Sequence, residues 1–437
     1  MSGAHQQLQD LYCAAVGGAS VESLTANAVA AIPLERRHRV WVFAFGKAAN
    51  TMAHAAVTTL ERSLAEIAGG VVVATEPADA PCGTISAMVG DHPVPGRRSF
   101  AAAARIAELI LRKRGKDLGI VLLSGGATSL IAAPLRGMSE SDLSLVYEAL
   151  LGAGLDIHEM NAIRKRFSRW GAGRLTLALA PARSVCLAVS DVPGDDIASI
   201  GSGPCVPDPT NVHTVIATLQ RVKLFDKLPP SFRQHLLDTV RGVTPETPKA
   251  SHPAFAHMTA RIIANNAIAL NAAAGAARSS GFETTVHAGP LVGEASLAGE
   301  RIARELLTRR ADARPGAVLC HLWGGETTVS LHGPAPAGGR CQEVALAAAR
   351  ELAAAGEKAK GISILAAGTD GRDGPTDAAG AIVDDATWSA IGAAGRDAAA
   401  SLRAHESYDA LASAGALFKP GPSGTNVMDI TIGLVRA

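Results

Sequence analysis

The chain has 437 residues, with 41 basic residues set against 40 acidic ones. That length exceeds one ordinary hydrophobic core, so two domains are expected, and the balanced charge gives no electrostatic reason to bind nucleic acid or an anionic membrane. Hydrophobic residues make up 48% of the chain and aromatic ones only 4%, which suits Ala-rich helices packed closely on sheets rather than an aromatic-lined binding surface.

The first ten residues lack a basic region followed by an apolar core, so no signal peptide is expected. Val40–Phe45 reads as a strand with both faces buried, and it runs into Gly46-Lys47 and a helix start of small residues. A lysine there can reach an anion at the helix N-terminus, although a surface lysine would read the same way. Gly70–Ala74 is the next strand. Gly90-Asp-His-Pro-Val-Pro-Gly96 follows as a turn, in which His92 reads as a turn histidine. A helix is expected over Ser99–Arg114. The strand Ile120–Leu123 then ends in Ser124-Gly125-Gly126-Ala-Thr-Ser129, where consecutive small residues make either a backbone nest for an anion or a tight turn. Helical periodicity recurs over Ser139–Gly152 and Glu159–Leu177. After the strand Val185–Val189, Asp191 sits where α/β enzymes commonly place a working acid, able to accept a proton or hold a metal. Asp195 and Asp196 suit helix capping. This β-α-β-α order implies a mostly parallel sheet covered by helices.

Val243–Pro253 is dense in Pro and polar residues and reads as the linker, placing the domains at 1–245 and 246–437. Beyond it the strands Ile262–Ala264, Thr284–His287, Ala317–His321 and Ile362–Ala366 alternate with helices over Asn265–Ser279, Leu297–Arg309 and Cys341–Ala355. Leu319-Cys-His-Leu-Trp-Gly-Gly-Glu-Thr-Thr328 echoes Ile120–Ser129, which suggests a similar backbone-rich turn in each half, at the strand edge where open sheets bind ligands. Gly324, Gly325 and Glu326 belong to that echo. Arg340 opens the last of these helices, where a guanidinium fork could take phosphate or carboxylate. Glu343 follows one turn on, as a first-turn acid. Leu365-Ala-Ala-Gly-Thr369-Asp370-Gly-Arg-Asp373-Gly-Pro-Thr-Asp377-Ala-Ala-Gly380 carries three acids among four glycines between its strand and its end. That build suits a hard cation such as Mg²⁺ or a polyol hydroxyl, and equally a solvated turn.

Several chemistries lack their signatures. No Gly-x-Gly-x-x-Gly follows a strand, and there is no P-loop, Gly-x-Ser-x-Gly elbow or His-Glu-x-x-His. The six cysteines (Cys13, Cys82, Cys186, Cys205, Cys320, Cys341) form no Cys-x-x-Cys pair, which argues against a zinc site and for a reducing cytoplasm. No apolar run reaches the ~18 residues of a membrane span. A lysine, an arginine, acids and Gly-rich turns are what phosphoryl transfer needs, because its catalysis is mostly positioning and charge neutralisation.

Taken in order, Phe45-Gly-Lys47, Gly90-Asp-His-Pro-Val-Pro95, Leu123-Ser-Gly-Gly126, Val189-Ser-Asp-Val-Pro-Gly-Asp195, Gly201-Ser-Gly-Pro204, Asn265-Asn266, Gly324-Gly-Glu-Thr327, Gly339-Arg340, Gln342-Glu343 and the Thr369–Gly380 loop resemble the class II glycerate kinases. These are D-glycerate 2-kinases with a C-terminal MOFRL region, here about 315–430, and relatives are often labelled hydroxypyruvate reductase. The resemblance implies two α/β domains, each with a mostly parallel sheet, the N-terminal one Rossmann-like. It further implies an active site in the interdomain cleft. Because the Gly-rich loops divide between the two halves and phosphoryl transfer must exclude water, the domains are expected to close over the substrates. The implied reaction is ATP- and Mg²⁺-dependent phosphorylation of D-glycerate to 2-phospho-D-glycerate. Lys47 and Arg340 are the implied catalytic residues, with Asp191. Ser124, Gly125, Gly126, Asn265, Gly324, Gly325, Glu326, Thr369 and Asp370 are expected to hold the nucleotide, and Asp191, Asp370 and Asp373 the metal. The expected partners are the two small substrates, with no nucleic acid and no membrane; a homodimer is compatible. Two alternatives stand beside the kinase: an NAD(P)H-dependent hydroxypyruvate reductase and a non-catalytic sugar-acid or nucleotide sensor. The chain departs from the family's usual pattern at Cys341, where Asn is common, and at Trp170-Gly-Ala-Gly173, where Lys-Gly-Gly is common.

Overall fold

The computed structural model describes residues 3–35, 37–331 and 336–437. The chain forms two compact units, Val21–Ile263 and the pair of segments Met1–Ser20 and Ala264–Ala437. Among the described residues no helix is long and apolar enough to cross a membrane.

The first unit is built on β1 (Arg39–Phe45), β2 (Glu66–Ala74), β3 (Ile85–Val89), β4 (Leu118–Leu123), β5 (Ser184–Val189) and β6 (Met258–Ala264), in the order β3-β2-β1-β4-β5-β6. The pairings β1–β2, β1–β4, β2–β3 and β4–β5 are all parallel. Every residue of β4 and β5 is buried, as the unbroken apolar runs require of strands covered on both faces. The helix Arg97–Arg112 buries Ser99, Ala102, Ala103, Ile106 and Leu109, one stripe at helical spacing. This strand order is that of a doubly wound fold. Its direction reverses at β1, so the crevice beyond the ends of β1 and β4 is where a ligand is expected.

Two expectations for this unit are corrected. The helix expected over 159–177 is two helices, Ile157–Phe167 and Arg174–Leu179. They are separated where Ala172 and Gly173 take φ of 54° and 75°, outside the helical region. The Pro-rich stretch expected as a linker is folded into the first unit. Thr247 Oγ1 donates to Asp208 Oδ2 at 2.7 Å, and Lys249 Nζ donates to the Asp208 carbonyl at 3.0 Å. The division expected at 245/246 therefore differs from the observed one, which falls at 263/264, because β6 completes the first sheet.

The second unit holds β7 (Glu283–Val286), β8 (Val318–Gly325), β9 (Ile362–Gly368), β10 (Gly380–Asp384), β11 (Leu417–Phe418) and β12 (Asp429–Arg436), in the order β11-β10-β9-β12-β8-β7. The expected mostly parallel sheet is not what forms here. Only β7–β8 pairs in parallel, and β8–β12, β12–β9, β9–β10 and β10–β11 are antiparallel. The cause is β12, the last strand, which inserts between β8 and β9 and runs against both. The N-terminal helix Gly3–Gly18 belongs to this unit. Its Tyr12 hydroxyl donates to the Gly368 carbonyl at 2.8 Å, and the ring meets Phe418 edge-on at 4.9 Å.

Candidate active site

In the first unit β1 and β4 end side by side, Phe45 paired with Leu123. The residues that follow them interlock. The Lys47 amide donates to the Gly125 carbonyl at 2.9 Å, and the Ala48 amide donates to Ser124 Oγ at 3.0 Å. Ser124 Oγ also lies 3.3 Å from the Phe45 carbonyl and donates to it. The Ser124 hydroxyl is thus spent on holding the two turns together, and Gly125 and Gly126 are what the turn presents. A Cβ on Gly125 would lie 1.8 Å from Asp191 Oδ2, so Asp191, arriving from the end of β5, rests directly on this turn. Gly126 has φ +83°, and a Cβ there would meet His92 Nε2 at 3.2 Å and the Lys47 stem at 3.6 Å. Lys47, Asp191, His92 and the glycine turn therefore form one cluster at the predicted crevice. Burial raises the Asp191 carboxyl above its ordinary range while Lys47 pulls it down. Partial burial, then the charges of Lys47 and Arg164, hold the His92 imidazole below its usual pKa.

The second unit gathers a different set. Because β12 is antiparallel to β8 and β9, its first residue lies at their ends: Asp429 pairs with Gly325 and with Gly368. Asp429 grips Arg340, Nε to Oδ2 at 2.5 Å and Nη2 to Oδ1 at 2.9 Å. Glu326, just past β8, takes Nη1 at 2.8 Å. Burial works against this guanidinium, but the two carboxylates outweigh it and hold its pKa above the usual value. Both Nη atoms keep an N–H for a ligand, yet Arg340 reaches it as a cation already matched by two anions.

Other expected site residues are taken up by the fold. Asp373 accepts the Cys341 amide at 3.2 Å and the Gln342 amide at 2.8 Å. It caps the helix Arg340–Ala355 across the chain. Burial pushes its carboxyl up to about 6 against those bonds. With both oxygens accepting amides and only 4% of the residue exposed, Asp373 serves as a helix cap. The Thr369 hydroxyl donates to the Met428 carbonyl at 2.6 Å and accepts the Val427 amide at 2.9 Å, so it ties β9 to the approach of β12. Asp370, half-buried, accepts the Arg372 amide through Oδ1 at 3.0 Å. Asp377 bonds Tyr408 and Lys419 at the surface. Asn265 caps the helix Asn266–Ser279 through the Ile268 amide at 3.0 Å. Asn266 donates to the carbonyls of Val427 and Asp429. A Cβ on Gly324 would overlap Asn266 Oδ1 at 1.7 Å, and one on Gly325 would lie 2.4 Å from the Leu291 backbone. Both glycines are inside β8, not in a turn beyond it, so the echo with Ser124–Gly126 is one of sequence and not of conformation. Cys341 is buried, and its backbone amide is what donates to Asp373. Trp170 is part of the first unit's core.

Sequence reasoning passed over Asp429 and undervalued His92. No spacing marks Asp429: it is an acid before an apolar strand, and only the pairing of β12 brings it to Arg340. His92 carried a weak signal, lying in a Gly/Pro turn after β3, a strand that sequence reading omitted. Glu343, read as a first-turn acid, is 2% exposed and pairs with His405 Nδ1 at 2.8 Å.

Residues 7–237 match a family described as a domain of unknown function, DUF4147, and residues 319–429 match the MOFRL family. A glycerate 2-kinase of Pyrococcus horikoshii is 36% identical over 92% of this chain and 89% of its own. An Agrobacterium vitis protein provisionally named hydroxypyruvate reductase is 38% identical over 98% of this chain and 93% of its own. The crystal structure of the Thermotoga maritima glycerate kinase superposes with a TM-score of 0.87 at 33% identity, covering all of both chains.

Proposed function

The chain belongs to the family of glycerate kinases that joins a DUF4147 region to a MOFRL region, and from that premise we propose that it phosphorylates D-glycerate at the 2-hydroxyl with ATP. The observation that carries the reading is the cluster of Lys47, Asp191 and the Gly125-Gly126 turn at the reversal point of the first sheet. The turn offers backbone to an anion, Lys47 offers a mobile positive charge, and Asp191 offers a base of raised pKa. In the reaction the glycerate O2–P bond forms as the bond from the γ-phosphorus to the bridging oxygen breaks, and ADP leaves. Asp191 accepts the hydroxyl proton, and Lys47 neutralises charge that grows on the phosphoryl oxygens. In the second unit, taken by itself, Arg340 has N–H groups suited to an anion, while Asp429 and Glu326 fix the plane of its fork.

Magnesium fits this site as a companion of ATP, since it keeps waters and takes one or two carboxylates plus phosphate oxygens. Asp191 in the first unit and Asp370 in the second are, each taken by itself, the carboxylates that would hold it; Asp373 already accepts two helix amides. The ion supplies neutralisation of the phosphate chain. Among the described residues no group of three or more His, Cys, Asp or Glu side chains could hold a metal.

The reductase name borne by a relative is weakened by the turn after β1, Gly46-Lys47-Ala48-Ala49, which lacks the dinucleotide glycine pattern. One assay separates the readings. ADP release with D-glycerate, yielding 2-phosphoglycerate by ³¹P NMR, is expected; oxidation of NADH or NADPH by hydroxypyruvate would support the reductase, and neither activity would leave a sensor.

A further inference from the structure

The helix Ile157–Phe167 buries three consecutive cations, Arg164, Lys165 and Arg166, which are 7%, 2% and 1% exposed. Two of them are matched. Lys165 Nζ donates to Asp208 at 3.2 Å and to the Ala198 carbonyl at 3.0 Å, and Arg166 pairs with Asp208 and Glu246. Arg164 is not. Its Cζ sits 4.7 Å above the Tyr147 ring, but its Nε and Nη2 are buried and have no hydrogen-bond partner. A buried guanidinium without an anion is costly, and such a group persists where something else supplies the partner.

The surroundings of Arg164 say where that partner would come from. Asn161, one turn earlier on the same helical face, donates to the Ser199 carbonyl at 3.0 Å, and its Oδ1 lies 3.5 Å from Ser202 Oγ. Ser202 in turn bonds Thr128 Oγ1 at 3.1 Å. Thr128 lies two residues past Gly126, so this face of the helix looks onto the glycine turn that carries Lys47, His92 and Asp191. His92, packed against Gly126, feels the Arg164 charge.

We propose that Arg164 binds the carboxylate of the acceptor, its free Nε and Nη2 forming the fork that fixes the acid end of the substrate. This assignment rests on the kinase reading and names the group that makes the enzyme select a hydroxy acid over a neutral polyol. A planar carboxylate matches the two vacant donors, and a charge-assisted bidentate pair is the strong form of such contacts.

The test uses full-length Arg164→Met and Arg164→Lys with saturating ATP, comparing D-glycerate with its neutral analogue D-glyceramide, alongside calorimetric titration of D-glycerate alone. In Arg164→Met the KM and Kd for D-glycerate rise on the order of 10²-fold while the KM for ATP stays within about twofold. The wild-type preference for the acid over the amide collapses by a similar factor. Arg164→Lys, which keeps the charge but loses the fork, shows a smaller rise of at least about fivefold. Thermal melts report folding, and if the Met variant does not fold the Lys variant decides. Wild-type D-glycerate affinity in a folded variant, or equal losses for acid and amide, overturns the assignment. A wild-type protein that binds D-glycerate without transferring a phosphoryl group sinks the kinase reading alone, and the titrations then decide Arg164. One that binds no D-glycerate overturns both.

Discussion

Gly125→Ala is the most demanding test of the first-unit cluster, because it adds one methyl group and removes no charged side chain. Gly125 has no positive φ, so alanine suits its backbone and the turn itself is not strained. The added carbon would lie 1.8 Å from Asp191 Oδ2, 2.5 Å from Cγ and 2.9 Å from Oδ1, inside the 3.0 Å that real contacts respect. The carboxylate is the movable partner, and it must withdraw by more than ~1 Å, a displacement worth about 10²-fold in rate for a group that acts at the reacting centre. The expected outcome is a drop in kcat of that order, with a melting temperature close to wild type. The decisive measurement is a double-mutant cycle: in an Asp191→Ala background there is no carboxylate to displace, so Gly125→Ala should change the residual rate by no more than about twofold. Wild-type kcat in the single variant would mean that Asp191 does not act at the chemistry. Full additivity in the cycle would mean that Gly125 acts by itself, through its backbone contact with a ligand.

Lys47→Ala should cost on the order of 10²-fold in kcat, with an unchanged melt because the side chain is exposed; near-normal turnover would remove Lys47 from the mechanism. The acid limb of kcat/KM should lie above the ordinary carboxylate range, since burial raises Asp191 and the base must be ionised to work. Activity falls as pH drops through that pKa, and Lys47→Ala, by removing the downward pull, should shift the limb of its residual activity to higher pH. Arg340→Ala takes from Asp429 its bidentate guanidinium and should lower stability by about 1–3 kcal/mol after allowing for partial exposure, as well as activity. Adding Asp429→Asn should recover stability in denaturant melts but not rate; recovery of neither would contradict the bidentate pairing. Excess chelator should abolish activity, and Asp370→Asn should raise the Mg²⁺ needed several-fold. Asp373→Asn should instead change stability with the Mg²⁺ requirement intact, and a shifted requirement would refute its role as a helix cap.

The sequence by itself determined the local items: the buried runs that became β1, β4, β5 and β9, the helix that Arg340 opens, and the small-residue turn at Ser124–Gly126. Those features depend on periodicity and residue size over a few positions, which a single chain displays directly. It also carried the family, because the order of short motifs from Lys47 to Gly380 survives without any knowledge of contacts. Tertiary structure decided what those motifs do. Gly324-Gly325 and Gly125-Gly126 read alike, yet one pair lies in a strand ladder against Asn266 and Leu291, and the other supports Asp191 and His92. The three acids of the 370s loop read as equivalents, but Asp373 caps a distant helix, Asp377 bonds Lys419, and Asp370 accepts the amide two residues on. Asp429 meets Arg340 only because the last strand enters the middle of the second sheet against its neighbours. Arg164 differs from Lys165 only in what the rest of the chain brings to it. Pairings between residues dozens of positions apart leave no trace in local spacing, since the free energy that selects them belongs to the assembled core.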